Sequence, residues 1–252
     1  MLSFDQNGTD ADRPPLLIVH GLFGSARNWG VIAKRLSDSR RVITVDMRNH
    51  GTSPWAASHG YDDLAQDLAE LIEALGAPVD IVGHSMGGKA SMALTLLYPA
   101  LVNRLVVADI APVAYGHSQS HLIAAMRAID LDTVEKRSDA DAQLATTIPE
   151  PGVRAFLLQS LDVKDKRWRL NLDVLDAEMD RITGWDPIEA EAGHPTLFLA
   201  GGDSDYVQPD ARAYTKQLFP NARFAKIPGV GHWLHAEKPR EFEAAVRTYL
   251  NA

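Results

Sequence analysis

Short apolar runs rich in β-branched residues recur along the chain, and stretches with helical spacing separate them. Leu16–His20 (LLIVH), Val42–Met47 (VITVDM), Val79–Val82 (VDIV), Leu105–Asp109 (LVVAD), Thr196–Ala200 (TLFLA) and Phe224–Ile227 (FAKI) predict strands. Most are continuous rather than alternating, the pattern of strands covered on both faces. Tyr61, Leu64, Leu68, Leu71, Ile72 and Leu75 fall on one stripe of a 3.6-residue period, with Gly76 and Pro78 as stop signals. Ala90–Tyr98 and Pro239–Leu250 also predict helices, the second with Phe242, Val246 and Leu250 on one side. Such alternation predicts an α/β fold: a mostly parallel sheet flanked by helices, with ligands outside the carboxyl ends of its strands.

The alternation breaks between residues 112 and 194. His121–Ile129, Thr133–Thr146, Val153–Leu161 and Leu172–Thr183 carry helical patterns, and the strand pattern resumes only at Pro195. Because the sheet would be incomplete without the strands that follow, we read residues 1–252 as a single domain with 112–194 as a helical lid insertion.

The 252 residues are 46% hydrophobic and 23% charged, an ordinary globular composition. No apolar run approaches the ~18 residues of a membrane span. The opening segment, MLSFDQNGTDADRPP, lacks the basic and apolar regions of a secretory leader. The absence of cysteine excludes disulfides, thiolate metal sites and a cysteine nucleophile, and suits a cytoplasmic protein. Lys+Arg 25 against Asp+Glu 33 gives 25 − 33 = −8, and the densest basic stretch, Lys164–Arg169, is broken by Asp165. Nucleic acid is therefore not an expected partner.

The chemistry begins at Asp80-Ile81-Val82-Gly83-His84-Ser85-Met86-Gly87-Gly88-Lys89, an apolar strand, then G-x-S-x-G, then a helix. Ser85 needs a strained strand-to-helix turn to lift its hydroxyl above the sheet, and glycines at 83 and 87 let that turn close. The Met86 amide would then point toward developing negative charge. A second donor is expected from His20-Gly21-Leu22-Phe23-Gly24, after the first apolar run, with the Leu22 amide as the choice and Phe23 as pocket wall. Lys89 is expected to be solvated or salt-bridged, and His20 and His84 to be packed supports.

A serine hydroxyl needs a base. Of nine histidines, His232 stands in Gly229-Val230-Gly231-His232-Trp233, between the last strand and the last helix. The order serine then histidine is that of the α/β hydrolases. His235 is second in line, and a metal site at His232, His235 and Glu237 is too sparse to compete. His50, His59, His117, His121 and His194 are expected in loops or on the lid surface. The acid that orients the imidazole has three candidates: Asp109 at the end of LVVAD, and Asp203 and Asp205 in the loop after TLFLA.

Together, H-G-L-F-G-S, D-M-R-N-H-G-T-S, G-H-S-M-G-G-K, D-I-A-P-V-x-Y and G-H-W-x-H-A-E-K-P resemble the small YbfF-type carboxylesterases of the α/β-hydrolase superfamily, from Leu16 to Leu250. The resemblance implies a cofactor-free intracellular hydrolase of carboxylic esters, with acyl-CoA thioesters as a variant. It implies Ser85 as nucleophile, His232 as base and, in this branch, Asp109 as acid. This chain departs by carrying Asp203 and Asp205 in the later loop, so Asp205 and then Asp203 stay as alternatives. The segment Asp46–Ser53 is expected to support the oxyanion loop.

The expected reaction is acyl transfer to water through an acyl-enzyme, on a small ester with a short to medium apolar acyl group. Phe23, Met126, Phe156, Trp185, Tyr206 and Trp233 are the candidate pocket residues, with Leu157 and Leu158 beside them. For a CoA phosphate, Arg127, Lys164, Lys166 and Arg167 are the cations within the lid. The rival readings are carbon–carbon bond hydrolysis or perhydrolysis by the same three residues, and a non-catalytic small-ligand receptor.

Overall fold

A computed structural model describes residues 1–252. The chain opens with β1 (Phe4–Asn7), β2 (Leu16–Val19), α1 (Gly30–Leu36), β3 (Val42–Val45), α2 (Tyr61–Leu75), β4 (Val79–His84), α3 (Met86–Leu97) and β5 (Val102–Ala108). An inserted segment follows: α4 (Ser120–Arg127), α5 (Arg137–Leu144), α6 (Pro151–Leu157), a small hairpin of β6 (Leu161–Asp162) and β7 (Arg167–Trp168), α7 (Leu172–Ala177) and α8 (Met179–Thr183). The chain closes with β8 (Thr196–Gly201), α9 (Ala211–Leu218), β9 (Ala222–Ile227), α10 (Leu234–Glu237) and α11 (Pro239–Leu250).

Seven strands form one sheet in the order β1-β3-β2-β4-β5-β8-β9, parallel except for β1, which pairs antiparallel with β3. Side chains alternate across it. Leu16, Ile18, Val82 and Val106 face α1 and α11, while Leu17, Val19, Ile81 and Val107 face α2 and α3. The second face has the larger core, to which the inserted segment adds Ile123, Met126, Leu144 and Leu157. Central α3 is buried along nearly its whole length, whereas α2 shows its apolar stripe to α3 and ends where expected, at Gly76 in left-handed geometry (φ 78°).

Two features were not expected from the sequence. β1 is a polar edge strand, exposed along most of its length, so it has no apolar signature. The β6–β7 hairpin is too short for any periodicity. The inserted helices are also shorter than their patterns, and the run Leu172–Thr183 breaks into α7 and α8 at Glu178.

At the amino end of β4, remote from Ser85, buried Asp80 receives Arg40 Nη1 at 2.5 Å and Asn103 Nδ2 at 2.7 Å. No helix is long and apolar enough to cross a membrane.

Candidate active site

The chain reverses between β4 and α3 at a single residue, Ser85, with φ 52° and ψ −121°. A side chain at Gly83 would put its Cβ 2.5 Å from the Gly87 carbonyl oxygen, and one at Gly87 would meet the Val19 carbonyl oxygen at 2.5 Å. Both glycines are therefore steric requirements of the turn and of its approach to β2. The strained φ lifts the serine clear of the helix behind it.

His232, in the loop after β9, bridges two partners. Its Nδ1 lies 2.8 Å from Asp109 Oδ2, so Nδ1–H donates to the carboxylate and Nε2 faces Ser85 Oγ at 2.9 Å. Tyr206 stacks on the imidazole at 4.0 Å between ring centroids. Asp109 is fully buried, has a positive φ of 52°, and accepts Gly201 N–H at 2.8 Å on Oδ1 and Ser204 Oγ–H at 2.5 Å on Oδ2. Asp203 and Asp205 are exposed, and neither carboxylate reaches His232. They fall on either side of Ser204, whose side chain turns inward while theirs turn out. Nothing in the sequence singles out Ser204.

Leu22 and Met86 both line the cavity above Ser85. The Leu22 amide has no acceptor within the protein, and Met86 opens α3, where an N–H group lacks a helical partner. The neighbouring Phe23 amide, by contrast, donates to His50 Nε2 at 3.1 Å, and the Phe23 carbonyl accepts from Ser160 of the inserted segment at 2.9 Å. The loop from Gly21 to Gly24 is thus held from both sides, which leaves Leu22 as its free amide.

Buried histidines form the support. His20 donates from Nδ1 to the Gly21 carbonyl and accepts the Met47 amide on Nε2, at 2.8 and 3.0 Å. His50 donates from Nδ1 to the Arg48 carbonyl at 2.9 Å. His84 donates from Nε2 to the His232 carbonyl at 2.9 Å. His235 stacks on Trp29 at 4.1 Å. Burial keeps these rings neutral: it lowers the pKa of His20, takes His50 and His84 well below the ordinary value, and brings His59 and His235 to about 3. His50 and His59 are therefore core residues, not the loop-surface groups expected; the H-x-x-x-x-x-x-x-x-H spacing from 50 to 59 carries no periodic signal of burial. His117 and His121 are exposed as expected. Asp46 accepts the Ala26 and Thr52 amides, each at 2.8 Å, so the Asp46–Ser53 segment braces the loop from Gly21 to Ala26.

Lys89 departs from its expected solvated or salt-bridged role. It is buried, its Nζ donates to the Thr183 and Gly184 carbonyls at 2.9 and 2.6 Å, and it lies 4.7 Å from the Tyr115 ring centroid. Burial draws its pKa down to about 7, while the two carbonyls and the ring face favour the ammonium. It joins the end of α8 to the helix that follows Ser85.

The cavity has a volume of about 340 Å³, and its lining is mixed. Of the expected pocket residues, Phe23, Phe156, Tyr206 and Trp233 line it. Met126 and Trp185 do not. Met126 is sealed in the core on the inner face of α4, where its carbonyl accepts Trp168 Nε1–H, and Trp185 packs near Tyr61 outside the lining. Leu157 and Leu158 are buried in the core, and Trp55 is 58% exposed on the surface. Arg127 is engaged by Asp173 and Asp176, Lys166 by Asp132 and Arg167 by Asp165, and none of these cations or Lys164 lines the cavity.

Residues 14–239 match the alpha/beta hydrolase fold family. The chain is 44% identical to Esterase YbfF of Escherichia coli (strain K12), over 94% of this chain and 93% of that protein. It is 42% identical to the sn-1-specific diacylglycerol lipase ABHD11 of Mus musculus, over 99% of this chain and 85% of that protein. Among solved structures it is similar to a marine microorganism esterase, with TM-score 0.93 and 37% identity over 98% of both chains.

Proposed function

We propose a mechanism from one premise: this chain belongs to the α/β-hydrolase family, and it is an ester-cleaving hydrolase. Ser85 is the nucleophile, His232 the general base and Asp109 the carboxylate that orients it. The supporting observation is the unbroken chain of contacts from Asp109 Oδ2 through the imidazole to Ser85 Oγ. With Nδ1–H committed to the carboxylate, Nε2 takes the serine proton as Oγ attacks the ester carbonyl. Charge on the carbonyl oxygen is met by the amides of Leu22 and Met86. The protonated imidazole then gives its proton to the departing alcohol. Water, deprotonated by the same Nε2, attacks the acyl-serine, and Ser85 leaves with the proton restored.

The substrate is a small ester with an apolar acyl part of short to medium length. Phe23, Val153, Phe156 and Trp233 offer an apolar wall, and a cavity of about 340 Å³ matches a small molecule. The segment 112–194 acts as the lid over this site, since Ile148, Val153, Phe156 and Ile182 close the cavity from above. A CoA thioester lacks support because the lid cations are occupied or remote. An sn-1 acyl glycerol belongs in the substrate panel because of the lipase-named relative. We place the protein in the cytoplasm, consistent with a chain without cysteine.

Hydrolysis of nitrophenyl butyrate tests this reading. Ser85→Ala should lose kcat by roughly four or more orders of magnitude, since nucleophile and base act as a unit. Asp109→Asn should lose about 10⁴-fold, while Asp203→Asn and Asp205→Asn keep activity near wild type. Equal turnover by wild type and Ser85→Ala would overturn the mechanism, and retained activity in Asp109→Asn would remove it as the acid.

A further inference from the structure

Lys89 is the one lysine or arginine that lines the cavity shared by Ser85 and His232, and it is only 1% exposed. Two of its N–H groups go to the Thr183 and Gly184 carbonyls, and the Tyr115 and Tyr61 rings lie 4.7 and 5.6 Å from Nζ. A third N–H has no hydrogen-bond acceptor in the protein. No carboxylate pairs with this cation, because the acids of the neighbouring elements are committed elsewhere or exposed. Asp109 serves His232, Asp63 of α2 pairs with Arg48, and Asp62 and Glu178 pair with Arg181. Asp180 and Asp186 face solvent.

The two carbonyls belong to the end of α8, so Lys89 caps that helix. Capping needs donors, which a neutral amide could supply; it does not need a full charge inside the protein. Buried ammonium groups ordinarily come with a counter-ion. Here the natural place for one is the cavity itself, beside Met86, Ile110 and Ile182.

We propose that Lys89 is the anion-recognising residue of this cavity, and that the substrate is a hemi-ester of a dicarboxylic acid: beyond a short apolar stretch its acyl part ends in a carboxylate that pairs with the Lys89 ammonium. The proposal rests on the reading that Ser85, His232 and Asp109 cleave the ester, and it gives the apolar acyl part of that reading a charged end.

Binding is then linked to a proton. Burial draws the free Lys89 ammonium down to about 7, and an arriving carboxylate favours the charged form, so the site takes up a proton when it binds above that pH. The other titratable groups against Nζ are the Tyr61 phenol from α2 and the Tyr115 phenol from the loop after β5, both held neutral because burial raises their pKa.

The experiment compares ethanol release from monoethyl succinate, glutarate and adipate with release from ethyl butyrate, valerate and hexanoate, in wild type, Lys89→Met and Lys89→Gln. The charged-over-neutral ratio of kcat/KM, at the best chain length, should fall by about 10- to 100-fold in both variants, the range of one hydrogen bond to a charged group. Taking the ratio cancels any general loosening of α8. A wild-type ratio in either variant at all three lengths overturns the proposal. A second measurement needs no change at Lys89: calorimetry of monoethyl glutarate binding to Ser85→Ala at pH 8, in buffers of different ionisation enthalpy. Uptake of roughly 0.5–1 proton is expected; binding without uptake, or no binding at millimolar ligand, overturns the proposal. An inactive Ser85→Ala beside an unchanged ratio defeats this proposal alone, whereas a Ser85→Ala protein that still releases ethanol defeats the reading beneath it.

Discussion

The α/β half and the inserted segment 112–194 meet at the cavity, but they hold their residues by different means. In the α/β half, backbone geometry does the placing. Ser85 and Asp109 both sit at positive φ at the ends of neighbouring strands, and glycines at 83 and 87 let main chains come within contact. The inserted segment reaches the site with half-buried apolar side chains such as Val153 and Phe156, and its outer helices are joined by exposed ion pairs such as Arg127–Asp173 and Arg127–Asp176. Exposed pairs of this kind contribute little, about 0–1 kcal/mol each. In the mechanism proposed above, the chemistry rests on main-chain geometry and acyl selectivity on apolar side chains of the insertion.

Acid should break the comparison most visibly. The neutral buried imidazoles His20, His50, His59, His84 and His235 all belong to the α/β half, whereas His117 and His121 of the insertion are exposed. A histidine whose folded pKa lies below the unfolded value of ~6.5 contributes full stability above that value and loses it as pH falls. Each such ring costs up to about 1.4 kcal/mol per pH unit. For His50, His59, His84 and His235 the losses run in the same direction as pH falls below 6.5. Thermal unfolding followed by circular dichroism should show Tm dropping steeply below pH 6.5. A flat Tm down to pH 5 would contradict the neutral-core description.

Gly87→Ala comes next. Its new methyl group meets the carbonyl oxygens of Val19 and His20, so α3 must move away from β2. Destabilisation of about 1–3 kcal/mol is expected from overpacking, with a loss of turnover of roughly 100-fold from the misplaced serine. Urea denaturation and nitrophenyl butyrate kinetics measure both, and unchanged kcat would show that the turn tolerates a side chain.

The smallest effect should come from the insertion. Phe156→Ala removes a half-buried cavity wall and should cost at most about 1 kcal/mol of stability. The ratio of kcat/KM for octanoyl over acetyl nitrophenyl esters should change by roughly 10-fold, the worth of a few methylene contacts. A parallel loss on both esters would place Phe156 in general support of the site.

What could be read from the chain follows the same division. β2, β4, β8 and the stretch of β5 from Leu105 onward are buried on both faces, so their apolar runs announced them, and the strand–G-x-S-x-G–helix order led to Ser85. Residues alone left Asp109, Asp203 and Asp205 open, because all three follow strands whose ends converge; family resemblance favoured Asp109, and only the folded geometry separates their distances from His232. β1 escaped notice because its pairing is by backbone. Ser204, His50 and Lys89 escaped because a polar residue in a loop or helix looks the same in sequence whether it turns inward or out. Met126 and Trp185 were misplaced for the converse reason: an apolar residue of the inserted segment can face the core as readily as the cavity.

The Arg40–Asp80–Asn103 contacts lie five residues before Ser85 on the same strand, about 17 Å away along an extended chain. They act as a keyway for β4. A slip by one residue would carry the Asp80 carboxylate to the opposite face, strand a guanidinium among apolar neighbours, and change the height at which residue 85 emerges. Lesions at this remote rim would therefore be felt at the serine as misalignment, although no atom of the rim comes near a substrate.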